Sequence, residues 1–238
     1  MLLAMCCALP ACLDAAEGPY ADHEELADYD AELQGVAPPD ALVMPSQFNK
    51  NVIVWDKHFT ASMSASAIQR FLDRTPYGNR TWLANEKIGT QTLAQALVAI
   101  GEEFEINPLM LLARMQVERS AISKTTRPRS HDVNFLMGCG CPDNKPCQTQ
   151  YKGLDKQLRC AASKLRKHFD GSRLGTGAWR KGTSRRSLDR IAVTPGNHAT
   201  AALYAYTPWV GNGGNTLVFN VTLKFTAHAQ AQAHTQSN

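Results

Sequence analysis

The sequence predicts a mainly α-helical domain with long loops, preceded by a disordered acidic segment. Several stretches repeat apolar residues every three or four positions, as helices that bury one face do. A Pro- and Gly-rich segment with three cysteines, residues 125–147, separates two of these stretches and predicts a long, covalently stapled loop. The first 45 residues are acidic and poor in aromatic residues, which is typical of a chain without a core of its own.

The chain begins with MLLAMCCALPAC, residues 1–12, a short apolar run that ends in small residues. It is too short to span a bilayer and predicts a secretory signal. The tetrapeptide that ends at Cys12 resembles a bacterial lipobox, so Cys12 is expected to carry a lipid, which would be the only contact with a membrane. No Lys or Arg precedes the apolar run, which departs from the usual signal. Residues 13–45 are predicted to be a disordered linker.

The predicted domain covers residues 46–225, and residues 226–238 are predicted to be a polar tail. NVIVWDKHF, residues 51–59, indicates a short strand or an extended arm. A helix is expected from Ser66, its predicted N-cap, through Asp73, and another over residues 90–104. Further helices are predicted over LDKQLRCAASKLRKHF and over NHATAALYAY, where Thr207 and Pro208 end the last one.

The stretch INPLMLLARMQVERSAIS, residues 106–123, predicts a helix that begins at Asn107 and Pro108. Leu111, Met115, Glu118 and Ile122 follow at spacings that place them on one face. A carboxylate on an apolar face lies at a core edge, has a charged partner, or is kept for its chemistry. Arg114 and Arg119 are the partners that the sequence offers.

Four cysteines follow Cys12. In an exported protein an even number predicts disulfides, here Cys141–Cys147 within a small loop and Cys139–Cys160 between that loop and the next helix. Two other pairings remain open. A zinc site is the alternative, although the spacing lacks the paired C-x2-C motif of zinc ribbons.

Charge is distributed unevenly along the chain. Residues 1–50 contain nine acids and one base, whereas residues 151–190 contain twelve Lys or Arg and three Asp. Such a basic segment suits an anionic partner or is simply a solvated surface.

Four blocks, SMSASAIQRFLD, INPLMLLARMQVERSAIS, GCGCPDNKPCQTQYKG and ATAALYAYTPW, together resemble the lysozyme-like soluble lytic transglycosylase superfamily, and more closely a secreted, wall-associated bacterial branch of it. The resemblance implies a lysozyme-like helical fold, a location in the bacterial cell envelope, and peptidoglycan as the partner. It also implies that Glu118 is the catalytic acid. Arg119 stands where the superfamily usually has Ser after the Glu, and the motif GLMQ is matched only loosely by Phe135–Gly138.

A general acid must hold its proton near neutral pH, so we expect Glu118 to be kept protonated by an apolar setting. A hydrolase normally uses two carboxylates, and only Asp132 and Asp143 lie in suitable loops. A lytic transglycosylase needs one, because the 6-hydroxyl of the muramic acid is the nucleophile. The scarcity of acids therefore favours the transglycosylase over a lysozyme.

Five further residues are candidates for binding the glycan. The resemblance places Tyr206 opposite the catalytic Glu. Tyr204 is two residues away and cannot face the same way, so one of the two tyrosines is expected in the core. Gln150 and Tyr151 match the loop motif of the branch, and Trp209 is free to stack on a sugar or to pack. No metal and no cofactor are expected.

Two alternatives remain. The first is a protein of the same fold that binds peptidoglycan or another anionic glycan without cutting it, through a basic helix that contains Lys156, Lys164, Arg166 and Lys167. The second is nucleic-acid binding by that helix. The export signal disfavours nucleic-acid binding, as does the scarcity of aromatic residues among the lysines and arginines of that segment. No nucleic acid is therefore expected.

Overall fold

A computed structural model describes residues 44–45, 47–142, 145–211 and 213–235. The expected signal over residues 1–12, with Cys12, and the linker up to residue 43 lie outside these ranges. Within them the protein is mainly helical, as the sequence predicts. The helices are α1 (Asp56–Phe59), α2 (Ala65–Asp73), α3 (Leu93–Phe104), α4 (Pro108–Arg119), α5 (Ser130–Asn134), α6 (Leu154–Arg173), α7 (His198–Tyr206) and α8 (Asn215–His234).

The strands of the described residues form two small antiparallel hairpins. Strands β1 (Lys87–Ile88) and β2 (Gln91–Thr92) lead into α3. Strands β3 (Arg185–Arg186) and β4 (Ala192–Val193) lie between α6 and α7.

Helix α4 is the centre of the fold. Every residue from Pro108 to Gln116 is buried, so the helix is surrounded by protein rather than amphipathic. It packs against α8, α3 and α6, while α7 lies along α6. The core therefore fixes α4 along most of its length, and only its C-terminal turn approaches solvent.

Local sequence explains where the main helices begin. The Asn107 side chain accepts a hydrogen bond from the Leu109 N–H, and Pro108 occupies the first turn, as predicted. Thr92 and Gln95 form a capping box at the start of α3. The N-cap of α2 is Ser64, whose hydroxyl accepts a hydrogen bond from the Ala67 N–H, so the prediction of Ser66 as its cap is wrong by two residues.

Other predicted boundaries also need correction. Residues 226–235 are not a free tail, because α8 continues to His234 and buries Phe225 and Ala227. Met44 is buried in the core, so the predicted linker extends too far when it ends at residue 45. Residues 51–59 contain one β-bridge and then α1 rather than a strand.

None of the described helices has both the length and the apolar composition to cross a bilayer.

Candidate functional site

Glu118 lies in the last turn of α4, at the edge of the core. Its side chain is 29% exposed, whereas the preceding turns of the helix are buried. The helix ends at Arg119 because Ser120 adopts a left-handed conformation (φ 50°), and its N–H bonds to the Gln116 carbonyl. Ile122 therefore lies beyond the helix. Of the four residues predicted to share one helix face, only Leu111, Met115 and Glu118 lie in the helix.

The carboxylate of Glu118 has a buried cationic partner. The Nη2 atom of Arg114, one helical turn earlier, donates a hydrogen bond to Oε1 of Glu118, and the Arg114 side chain is only 4% exposed. Glu118 therefore does not have the purely apolar setting that the sequence predicted, and the paired alternative is the one that the structure has.

Arg114 also contacts the last turn of α7. Its Cζ atom lies 4.5 Å from the centre of the Tyr206 ring, a cation–π distance. Burial raises the pKa of the Tyr206 hydroxyl, the Arg114 charge opposes this, and the Glu118 charge adds to it, so the hydroxyl stays neutral. The Nε and Nη1 atoms of Arg114 are buried and have no hydrogen-bond partner within the described ranges. The structure thus brings Tyr206 together with Glu118 through Arg114.

Gly138 faces the other carboxylate oxygen. Its backbone has φ of 62°, which glycine adopts without strain. A Cβ atom at this position would lie 3.2 Å from Oε2 of Glu118 and 3.7 Å from its Cδ. The absence of a side chain at residue 138 therefore leaves space beside Oε2, while Oε1 is held by Arg114.

The loop that carries Gly138 is fixed to α6 by a buried glutamine, which the sequence analysis did not single out. The Gln157 side chain accepts hydrogen bonds from the N–H groups of Met137 (3.2 Å) and Cys139 (3.1 Å), and donates to the carbonyls of Cys139 and Tyr151 (both 2.8 Å). These four bonds clamp the backbone on both sides of Gly138. An isolated Gln on a helix carries no sequence signal of such a role.

Two disulfides complete this loop. Cys139 is bonded to Cys160, and Cys141 to Cys147, so the favoured pairing is confirmed. The thiols are therefore not free to bind zinc, and the zinc alternative is wrong. Among the described residues no three His, Cys, Asp or Glu side chains form a group able to hold a metal ion.

Tyr204 is a core residue, which corrects its prediction as a glycan contact. Its side chain is fully buried, and its hydroxyl donates to the Lys50 carbonyl at 2.8 Å. Its ring stacks on Trp179 with 5.0 Å between centres. Burial and the charge of Asp189 raise the pKa of Tyr204, so its hydroxyl stays protonated and bonded.

The remaining predicted contacts do not converge on Glu118. The Tyr151 ring packs over Gly140, where a Cβ atom would approach Cδ2 of the ring to 2.2 Å. Gln150 is exposed, and its amide donates to Gln148. Trp209 is 47% exposed, and its carbonyl accepts hydrogen bonds from Asn215. No hydrogen bond or ring contact joins Gln150, Tyr151 or Trp209 to Glu118 in the described part of the chain.

A separate cavity of about 660 Å³ lies near the start of the described chain. Its lining residues are Pro45, Gln47, Phe48, Asn49, Lys50, Val52 and Trp55. Glu118 is not among them, so this cavity is distinct from the group formed by Arg114, Glu118, Gly138 and Tyr206. Asp143, the second loop carboxylate considered above, lies outside the described residues.

The chain was also compared with known proteins. No protein-family model, no curated protein and no solved structure matches it.

Proposed function

We propose that this protein is a peptidoglycan-cleaving lytic transglycosylase with a lysozyme-like helical fold, exported to the bacterial cell envelope. One observation supports this above the others, the unequal setting of the two oxygens of Glu118. Arg114 holds Oε1 from the core side, and Oε2 faces the space left by Gly138. A carboxyl group at the edge of the core, with 29% of the side chain exposed and one oxygen anchored, is suited to exchange a proton with a ligand at the protein surface.

In the proposed reaction a proton passes from Oε2 to the oxygen that links the N-acetylmuramic acid to the next N-acetylglucosamine. The bond between that oxygen and C1 breaks, and C1 becomes oxocarbenium-like. The 6-hydroxyl of the same muramic acid then attacks C1, and its proton returns to Oε2. The product is a 1,6-anhydro ring, and no water is consumed.

Arg114 is assigned a positioning role. It stabilises the carboxylate that forms when Glu118 gives up its proton, and its contact with the Tyr206 ring fixes the direction of the guanidinium. The acid step requires a proton on Oε2, the oxygen that Arg114 does not hold.

A second candidate function is that of a wall-binding protein of the same fold that does not cut. The observation behind it is the ion pair itself, since a permanently paired Glu118 would contribute to a binding surface rather than to chemistry. The two functions differ in a turbidity assay on purified sacculi combined with a pulldown. Binding without clearing selects the second.

The test of cutting compares wild type with Glu118→Gln. Lysis of sacculi should fall at least about 100-fold in this variant, because a neutral amide neither donates nor accepts the required proton. Glu102→Gln, on the exposed side of α3, is the matched control and should keep full activity. Thermal melting of both variants verifies folding, because Glu118→Gln removes the charged partner of the buried Arg114. A folded Glu118→Gln protein that lyses sacculi like wild type would refute the assignment.

A further inference from the structure

The segment between α6 and α7 presents an exposed cluster of positive charge. We call residues 180–193 the basic hairpin, because they include β3, β4 and the turn between them. Its five basic side chains are exposed: Arg180, Lys181, Arg185, Arg186 and Arg190. Its only acid is Asp189.

Internal acids do not neutralise this charge. Within the described ranges, none of the five side chains forms an ion pair, whereas Arg159, Arg166 and Arg173 on α6 each pair with an acid. The Asp189 carboxylate instead accepts hydrogen bonds from the N–H groups of Val210 and Gly211. The arginines of α6 are therefore paired and those of the hairpin are not, although Lys156, Lys164 and Lys167 on α6 also form no ion pair among the described residues.

The hairpin is held in place beside the segment that follows α7. The Ser187 and Ile191 backbones close its turn, and the Leu188 N–H donates to the Pro208 carbonyl at 2.7 Å. Together with the Asp189 bonds, this contact fixes the turn against residues 208–211. These residues begin two positions after Tyr206, within about 10 Å of chain. The turn of the hairpin thus borders the segment that directly follows Tyr206.

Two large apolar side chains are exposed at this border. Leu188 is 60% exposed and Trp209 47%. Indole rings bind sugars by stacking and guanidinium groups bind carboxylates by paired hydrogen bonds, and both kinds of side chain are exposed on these two adjoining segments.

From this charge, exposure and placement we propose that the basic hairpin, together with Trp209, binds the free carboxylates of the peptide stems along a peptidoglycan strand. The inference rests on the proposed function for its occupant, because stem carboxylates recur on the strand that the site would cut. Arg180, Arg185 and Arg186 each use one guanidinium nitrogen in a hydrogen bond to a backbone carbonyl. Their remaining N–H groups can form two parallel bonds to a carboxylate. The surface would hold the strand outside the bond that is cleaved.

The test measures binding of the full-length protein to purified sacculi by co-sedimentation. Arg186→Gln/Arg190→Gln should weaken binding about tenfold, and raised salt should weaken wild-type binding in the same direction. The matched control is Lys164→Gln/Lys167→Gln on α6, which removes the same charge from exposed positions. This control should bind as wild type does. When the stem carboxylates of the sacculi have been converted to amides, wild type and the hairpin variant should bind equally weakly.

Three results would overturn the proposal: equal binding by the hairpin and control variants, undiminished binding to amidated sacculi, or a preference for duplex DNA over sacculi that depends on Arg186 and Arg190.

Failure of the proposed function gives a different pattern. A protein that binds through the hairpin but never cuts refutes the transglycosylase and supports this inference. A protein that cuts normally, and whose binding to sacculi is unchanged by the hairpin substitutions, overturns this inference alone.

Discussion

Gly138→Ala is the substitution whose effect follows most directly from the structure. The added Cβ would lie 3.2 Å from Oε2 of Glu118, closer than ordinary van der Waals contact, so the carboxylate or the loop must shift by a few tenths of an ångström. The left-handed φ of 62° adds a backbone cost of about 1 kcal/mol for a residue with a side chain. That cost lowers the melting temperature by roughly 2–4 °C in a domain of this size. Lysis of sacculi should fall by about tenfold or more, because the reacting oxygen is displaced and crowded.

Gly89→Ala is the matched control. Gly89 has nearly the same backbone angle, φ 60°, but a Cβ there meets nothing within 4 Å. The two variants should therefore lose similar stability in thermal denaturation, while only Gly138→Ala loses activity in the turbidity assay. If both variants lyse sacculi equally well, the space beside Oε2 has no part in the reaction, and the placement of the site is refuted.

Two further predictions concern stability. Gln157→Ala should lower the free energy of unfolding by about 3 kcal/mol, because it leaves buried backbone groups of the loop without hydrogen-bond partners. Urea denaturation measures this change. A loss below about 1 kcal/mol would show that the hydrogen bonds of Gln157 are dispensable. Burial lowers the pKa of His228 below its ordinary value of 6.5, an effect that its hydrogen bond to the Arg74 carbonyl partly opposes. The unfolded chain therefore takes up this proton first, and the stabilising contribution is complete above pH 6.5 and is lost as the pH falls below it. His228→Gln should reduce the drop in melting temperature between pH 7 and pH 5, and an unchanged drop would contradict the assignment.

Local patterns predicted the parts of the fold that depend on nearby residues. Asn107 and Pro108 correctly mark the start of α4, and Thr207 and Pro208 the end of α7. Helix α8 was missed because NTLVFNVTLKF is rich in β-branched and aromatic residues, which favour strands locally. Its packing against α4 outweighs that preference.

The candidate site was predictable only in part. The four-residue spacing from Arg114 to Glu118 is visible in the sequence, and so is the alternative that the two are paired. The Tyr206 contact and the approach of Gly138 join segments distant in sequence, which no local pattern encodes. Tyr204 and Tyr206 could be separated into core and site only once the rotation of α7 was known, since both are aromatic and two residues apart.

Mass spectrometry of the glycan fragments released from sacculi tests the central claim most directly. Wild type should release fragments that end in 1,6-anhydro-muramic acid, and Glu118→Gln should release almost none. Fragments with reducing ends alone would show that water is the nucleophile. Equal release of anhydro fragments by both proteins would show that Glu118 does not carry the reaction.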